Sequence, residues 1–239
     1  MSQERMHFTR ISNAYIRTDI EKTYNIHRCF YLVYILINKY RSYEDYSWLT
    51  IQEVFEWYGY KCNRKKPKLY TDIIDTLKYM CNLNMIQINQ DLNTLTYETG
   101  VKIKIIPENF DCSKNYTLIT SEQLDTIFNA PKPLNIENVL LVFLYINSHI
   151  GCGETNDINI GAYFKSIQTM SEDLSMSKKT LSQCIDYLTS PNSNSPSLLI
   201  KKEMKEKLPN IYVLNKPGYE KEITNAIARL KKFSRQQNK

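Results

Sequence analysis

Thr169-Met170-Ser171-Glu172-Asp173-Leu174-Ser175-Met176-Ser177-Lys178-Lys179-Thr180-Leu181 is the stretch that decides how the rest of this 239-residue chain is read. Thr169-x-x-Glu172 has the form of a capping box, in which the hydroxyl and the carboxylate each satisfy an orphan N–H at a helix start. It predicts a short helix ending near Leu174. Ser175-Met176 is a turn. Ser177 then caps a second helix, whose Leu181, Cys184, Ile185 and Leu188 recur at helical spacing and form a core stripe.

Working outward, Leu198–Lys202 and Ile211–Leu214 read as the two strands of a hairpin. Upstream, Ile136–His149 is a long apolar helix, set off by the breaker Ala130-Pro131-Lys132-Pro133. Before that, Tyr116–Ile119 is a strand, and Thr120-x-x-Gln123 is another capping box opening a helix to Phe128. A last segment, Pro217–Phe233, carries Ile223, Ile227 and Leu230 on one face and a basic end.

The first half of the chain repeats this order. Phe8–Ile11 reads as a strand, Ser12–Ile20 as a turn and short helix, and Arg28–Tyr40 as a long apolar helix. Thr50-x-x-Glu53 is a capping box for a helix bearing Ile51, Val54 and Phe55, and Gly59 suits its left-handed C-cap. A basic loop, Lys61–Lys68, leads to Pro67, which fits the first turn of a third helix. That helix has Leu69, Ile73, Leu77 and Met80 on one stripe. Met85–Asn89 and Leu95–Glu98 are read as a hairpin, and Val101–Ile106 as a third strand. Three segments match their counterparts at an offset of 108 residues (Phe8 against Tyr116, Leu32 against Leu140, Ile73 against Leu181). Two similar units are therefore expected, 1–110 and 111–215, followed by a basic amphipathic helix and tail at 216–239. The fold class expected is mainly α with small β-hairpins, α+β.

Composition narrows the function classes. Hydrophobic residues at 42% and charged residues at 23% are globular values and argue against global disorder. The net charge of +6 permits a polyanionic partner without requiring one. The six cysteines form no C-x-x-C pair, and the three histidines are not grouped with them at ligand spacing, so no zinc site or other cofactor is expected. Cys29, Cys81 and Cys184 fall on apolar helical faces, where a thiol acts as a small core group. No apolar run reaches bilayer-spanning length, and no signal peptide is seen, so a cytoplasmic chain with no membrane partner is expected. Gly151-Cys152-Gly153-Glu154 lacks the strand–turn–helix setting of a phosphate loop. The neighbouring His149 and Cys152 lack a third orienting group, so no catalytic residue is assigned and no enzyme is expected.

Three helices followed by a β-hairpin, with the 169–181 stretch forming a helix-turn-helix, resemble the winged-helix plan. A tandem pair resembles the replication initiators and replisome organisers of plasmids and phages; the C-terminal helicase-loading region that some of them carry is expected to be absent. The resemblance implies double-stranded DNA as partner, with a homodimer and replication or transcription proteins as further partners. Arg64, Lys65, Lys66 and Lys68 precede the first candidate recognition helix, where cations meet phosphates. Tyr70, Thr71 and Lys78 lie off its apolar stripe. In the second unit Lys178 and Lys179 occupy the first helical turn. Ser182 and Gln183 share their exposed side, and Gln pairs bidentately with adenine. Lys201, Lys202 and Lys205 sit in or near the second wing. Asp72, Asp75 and Asp186 oppose this reading by repelling phosphate, and the first helix carries two of them, so the second is the expected base reader. The lysine runs also fit solvated surface, and the acidic helix and the 217–233 segment also fit a protein-docking module.

Overall fold

A computed structural model describes residues 8–17, 29–60, 67–150, 161–190, 196–204 and 208–237. The protein is α+β, with small antiparallel sheets, and divides into two compact units, Met1–Phe128 and Asn129–Lys239.

The first unit is built around one helix. It opens with strand β1 (Phe8–Ser12) and the single turn α1 (Asn13–Ile16), followed by α2 (Phe30–Lys39). Every residue of α2 from Phe30 to Ile37 is buried, so the helix is apolar on all sides and has to be enclosed on all sides. Next come β2 (Tyr46–Leu49), α3 (Ile51–Trp57), α4 (Pro67–Asn82), β3 (Ile86–Gln87), β4 (Val101–Ile105) and the single turn α5 (Pro107–Phe110). The unit closes with β5 (Tyr116–Thr120) and α6 (Ser121–Phe128).

Several local signals act as read. The Thr50 hydroxyl accepts from Glu53 N–H and the Glu53 carboxylate from Thr50 N–H, closing the capping box. Gly59, at φ 68°, ends α3 as only a residue tolerant of left-handed geometry can. Its N–H donates to Glu56 O, and Tyr60 N–H donates to Phe55 O. Thr120 and Gln123 form the same reciprocal box at the start of α6.

The strands differ from expectation. Leu95–Glu98 is not a strand. The Asp91 carboxylate caps a 3-10 turn at Leu92–Thr94, and Thr96 and Thr99 bond through their hydroxyls 2.6 Å apart. Such local side-chain bonds compete with a ladder. Tyr97 then packs edge-on against Phe55, and its carbonyl takes the N–H of Gln52. β3 pairs instead with β4, which lies at the centre of a sheet ordered β2-β4-β3. β2 is an element the sequence reading lacked.

The boundary between units also differs from the expected 110/111. β5 pairs antiparallel with β1, Phe8 opposite Thr120 and Ser12 opposite Tyr116, so residues 111–128 belong to the first unit. Arg10 and Leu118, equivalent under the 108-residue repeat, are also opposite each other in the ladder. The repeated strand thus pairs with its own counterpart.

The tyrosines of α2 tie these segments to it. Tyr34 OH donates to Arg10 O (2.9 Å) and Phe110 O (2.7 Å), and its ring stacks on Phe110. Tyr31 OH donates to Tyr15 O at 2.7 Å. Burial, with Cys112 and Asp111 adding, pushes the Tyr34 phenol far up, so it stays a neutral donor.

The second unit repeats the plan. α7 (Ile136–Ile150) is buried from Val139 to Ser148. β6 (Ala162–Tyr163), α8 (Ile167–Asp173), α9 (Lys178–Thr189), β7 (Leu199–Lys202) and β8 (Ile211–Leu214) follow, and the sheet is ordered β6-β8-β7, with its third strand central as in the first unit. The cap of α8 is Ser166 rather than Thr169. Ser166 Oγ accepts from Thr169 N–H, because starting a turn earlier lets Met170 and Leu174 reach the core. Leu181, Cys184, Ile185 and Leu188 of α9 are buried, as their spacing requires.

The segment expected as a separate tail is α10 (Tyr219–Gln237), and it is part of the second unit. Ile223, Ile227 and Leu230 pack with Ile211, Val213 and Ala226, so its apolar face is already covered. Among the described residues, no helix is long and apolar enough to cross a membrane.

Tyr34→Phe takes the phenol donor from one buried and one part-buried carbonyl. It should cost about 1–3 kcal/mol, read as a lower urea midpoint at unchanged slope.

Candidate nucleic-acid interface

The second unit presents α9 outward from a fixed base. Tyr145 on α7 donates to the Asp173 carboxylate at the end of α8, Tyr163 of β6 donates to Tyr145 (3.0 Å), and Lys165 reaches Asp173 at 3.2 Å. Three elements are thereby pinned at one point. Burial pushes both phenols up, so both remain donors. Partial burial works against the Asp173 carboxylate, but the bonds from Tyr145 and Lys165 outweigh it and hold the group below its ordinary range.

The chain leaves α8 through Ser175, at φ 46°, whose N–H donates to Glu172 O, while Met176 N–H donates to Ser171 O. Met176 is buried. Ser177 then caps α9 by accepting from Thr180 N–H. Burying the Leu181 stripe turns the opposite face to water. Lys178, Lys179 and Gln183 are exposed there and Ser182 is half-buried. Asp186 is exposed on the same helix, so this face carries two cations to one carboxylate.

The hairpin beside it contributes less than its lysine count suggests. Lys201 Nζ lies 2.9 Å from Glu203 Oε1, and that bond, with Asp186 also contributing, raises its pKa. Lys201 thus already has one carboxylate beside it, on the exposed Glu203. Lys202 is exposed. Lys205 lies outside the described residues.

In the first unit, Arg64, Lys65 and Lys66 lie outside the described residues. Lys68 and Thr71 are exposed at the start of α4. Tyr70 is occupied: its hydroxyl donates to Leu95 O at 2.5 Å, and its ring packs against Tyr97. Lys78 is occupied as well, donating to Asn93 Oδ1 at 2.9 Å. Both engagements have one cause: the 91–99 segment folds back onto α4 instead of projecting as a strand. With Asp72 and Asp75 on the same helix, α4 offers a poor surface to phosphate.

The sequence reading missed a second surface, on the open face of the first sheet. Trp48 on β2 is 59% exposed, and Tyr46 stands beside it on the same face. Lys102 and Lys104 of β4 face the same way, because Val101, Ile103 and Ile105 point into the core. Lys102 Nζ lies 4.5 Å from the centre of the Tyr46 ring. These residues, with Gln87 and Asn89, line an open groove of about 310 Å³. The Lys alternation in 101–105 was a legible signal; Tyr46-Ser47-Trp48-Leu49 was not, since there the serine is buried and the tryptophan exposed.

Among the described residues, no group of three His, Cys, Asp or Glu side chains is placed to hold a metal ion. No protein-family model and no curated protein sequence matches the chain.

Because the Asp173 carboxylate is depressed in the fold, its contribution is complete above about pH 4 and is lost as pH falls further. Acid titration followed by circular dichroism should show a shallower loss of stability below that pH in Tyr145→Phe than in the parent.

Proposed function

We propose that the protein is a non-catalytic binder of double-stranded DNA, built from two winged-helix units, with α9 of the second unit as the base-reading helix. The element order supports the winged-helix reading. In each unit an enclosed helix is followed by a strand, two further helices and two strands, and the last strand is central in the sheet. The observation that carries the DNA reading is the outward face of α9. Its first turn bears two exposed lysines where phosphate contact sets register, and the exposed Gln183 lies one turn further along, where a base edge is read. Initiation of replication, or transcription control, of a mobile element is the role the architecture suggests.

A second reading applies to the first unit. Asp72 and Asp75 on α4, together with the engagement of Tyr70 and Lys78, favour a protein-docking use of that helix.

Binding to duplex DNA across a salt series tests the proposal. Affinity should fall linearly on logarithmic axes. Lys178→Ala with Lys179→Ala should weaken binding to all sequences and lower the slope by about 1.8, at ~0.9 per phosphate contact. Gln183→Ala should relax preference at one base position, by about 1–3 kcal/mol of discrimination. No salt-sensitive binding to any duplex would refute the proposal.

A further inference from the structure

We infer that the open face of the β2-β4-β3 sheet in the first unit is a second nucleic-acid site, which takes unpaired DNA by stacking bases on Trp48 and Tyr46. The three strands arrange three chemistries in parallel. β2 supplies the rings, and β4 supplies the cations Lys102 and Lys104. β3 and the residues after it supply the amides Gln87 and Asn89. The ladder sets the rows: Tyr46, Lys104 and Gln87 stand side by side, and Trp48 stands opposite Lys102.

Each column matches a part of a single strand. Trp48 and Tyr46 are two residues apart on one face, about 6.6 Å along the strand, which suits two neighbouring splayed bases. Lys102 lies over the Tyr46 ring and swings aside to phosphate when a base stacks there, and among the described residues neither Lys102 nor Lys104 is paired with a carboxylate. The amide side chains of Gln87 and Asn89 line the groove, make no hydrogen bond among the described residues, and can meet base edges. A duplex is a poor occupant, because its base faces are covered by their own stacking. An acidic peptide would use the lysines but leave the exposed indole unexplained.

The site is separate from α9. It rests on the duplex-binding reading only in the choice of DNA over RNA: a protein that engages a duplex through one unit can hold an opened strand on the other.

The test uses the full chain and a labelled oligothymidylate of about ten nucleotides, within the span of known single-strand sites. Binding should quench tryptophan fluorescence, and Trp48→Phe, which retains Trp57, should lose most of the quench. Trp48→Ala should weaken binding roughly tenfold or more, while Trp48→Tyr should retain much of it, since a ring is restored. Lys102→Ala with Lys104→Ala should lower the salt slope by about 1.4, at ~0.7 per contact for single strands. Both lysines are exposed and Trp48→Phe and Trp48→Tyr keep a ring over Gly100, so these variants should keep the parent's denaturation midpoint. Equal affinity for an abasic oligomer of the same length, for polyglutamate or for the Trp48→Ala chain would overturn the proposal, and so would tighter binding of the matching oligouridylate. Lys178→Ala with Lys179→Ala should leave the quench intact, so failure of the duplex reading and failure of this one are told apart.

Discussion

A helix that is apolar on every side has to be enclosed on every side, and each unit contains one. α2 and α7 bury side chains around their whole circumference. Each large apolar group so placed contributes roughly 1.5–3 kcal/mol, against about 0–1 kcal/mol for an exposed ion pair. The other elements are arranged to satisfy that demand. In the first unit the β1–β5 ribbon, α1 and α5 are tied to α2 through the Tyr31 and Tyr34 hydroxyls. In the second, β6 and α8 are joined to α7 at the Tyr145–Asp173 contact.

That enclosure decides which faces are left for partners. α9 packs its Leu181–Leu188 stripe inward, so its lysines and Gln183 are turned out as a consequence of core packing. The same logic puts Trp48 in water: Ser47 and Leu49 take the inward positions of β2, and the period of a strand sends Tyr46 and Trp48 to the other side. The two units therefore share a plan and present different chemistry. One offers a lysine-headed helix, the other an aromatic and lysine sheet face beside a helix occupied by its own loop.

Much of the fold was legible because it is locally encoded. Capping boxes at Thr50 and Thr120, the left-handed Gly59 and the four-residue core stripe of α9 each depend on residues within a turn of one another. What escaped the sequence depends on partners far along the chain. The pairing of β5 with β1 moves residues 111–128 into the first unit, and no local signal distinguishes that from the expected division. Leu95–Glu98 has strand-like residues, but the Asp91 and Thr96–Thr99 bonds and the docking of Tyr97 on Phe55 divert it. The choice of Ser166 over Thr169 as cap was ambiguous by a single turn and was decided by Met170 and Leu174.

The candidate site was legible only in part. Burial stripes told which residues of α9 face out, so Lys178, Lys179 and Gln183 could be named from spacing. Charge counting could not tell that Lys78 and Tyr70 are engaged by Asn93 and Leu95, which only folding brings near, whereas the partner of Lys201, Glu203, lies two residues along the chain. The proposal that α9 reads a duplex is tested most directly by photocrosslinking. A photoreactive side chain in place of Gln183 should crosslink to a bound duplex at one base position, and the same group in place of Asp75 should give no crosslink; strong crosslinking from position 75 with none from 183 would contradict the account.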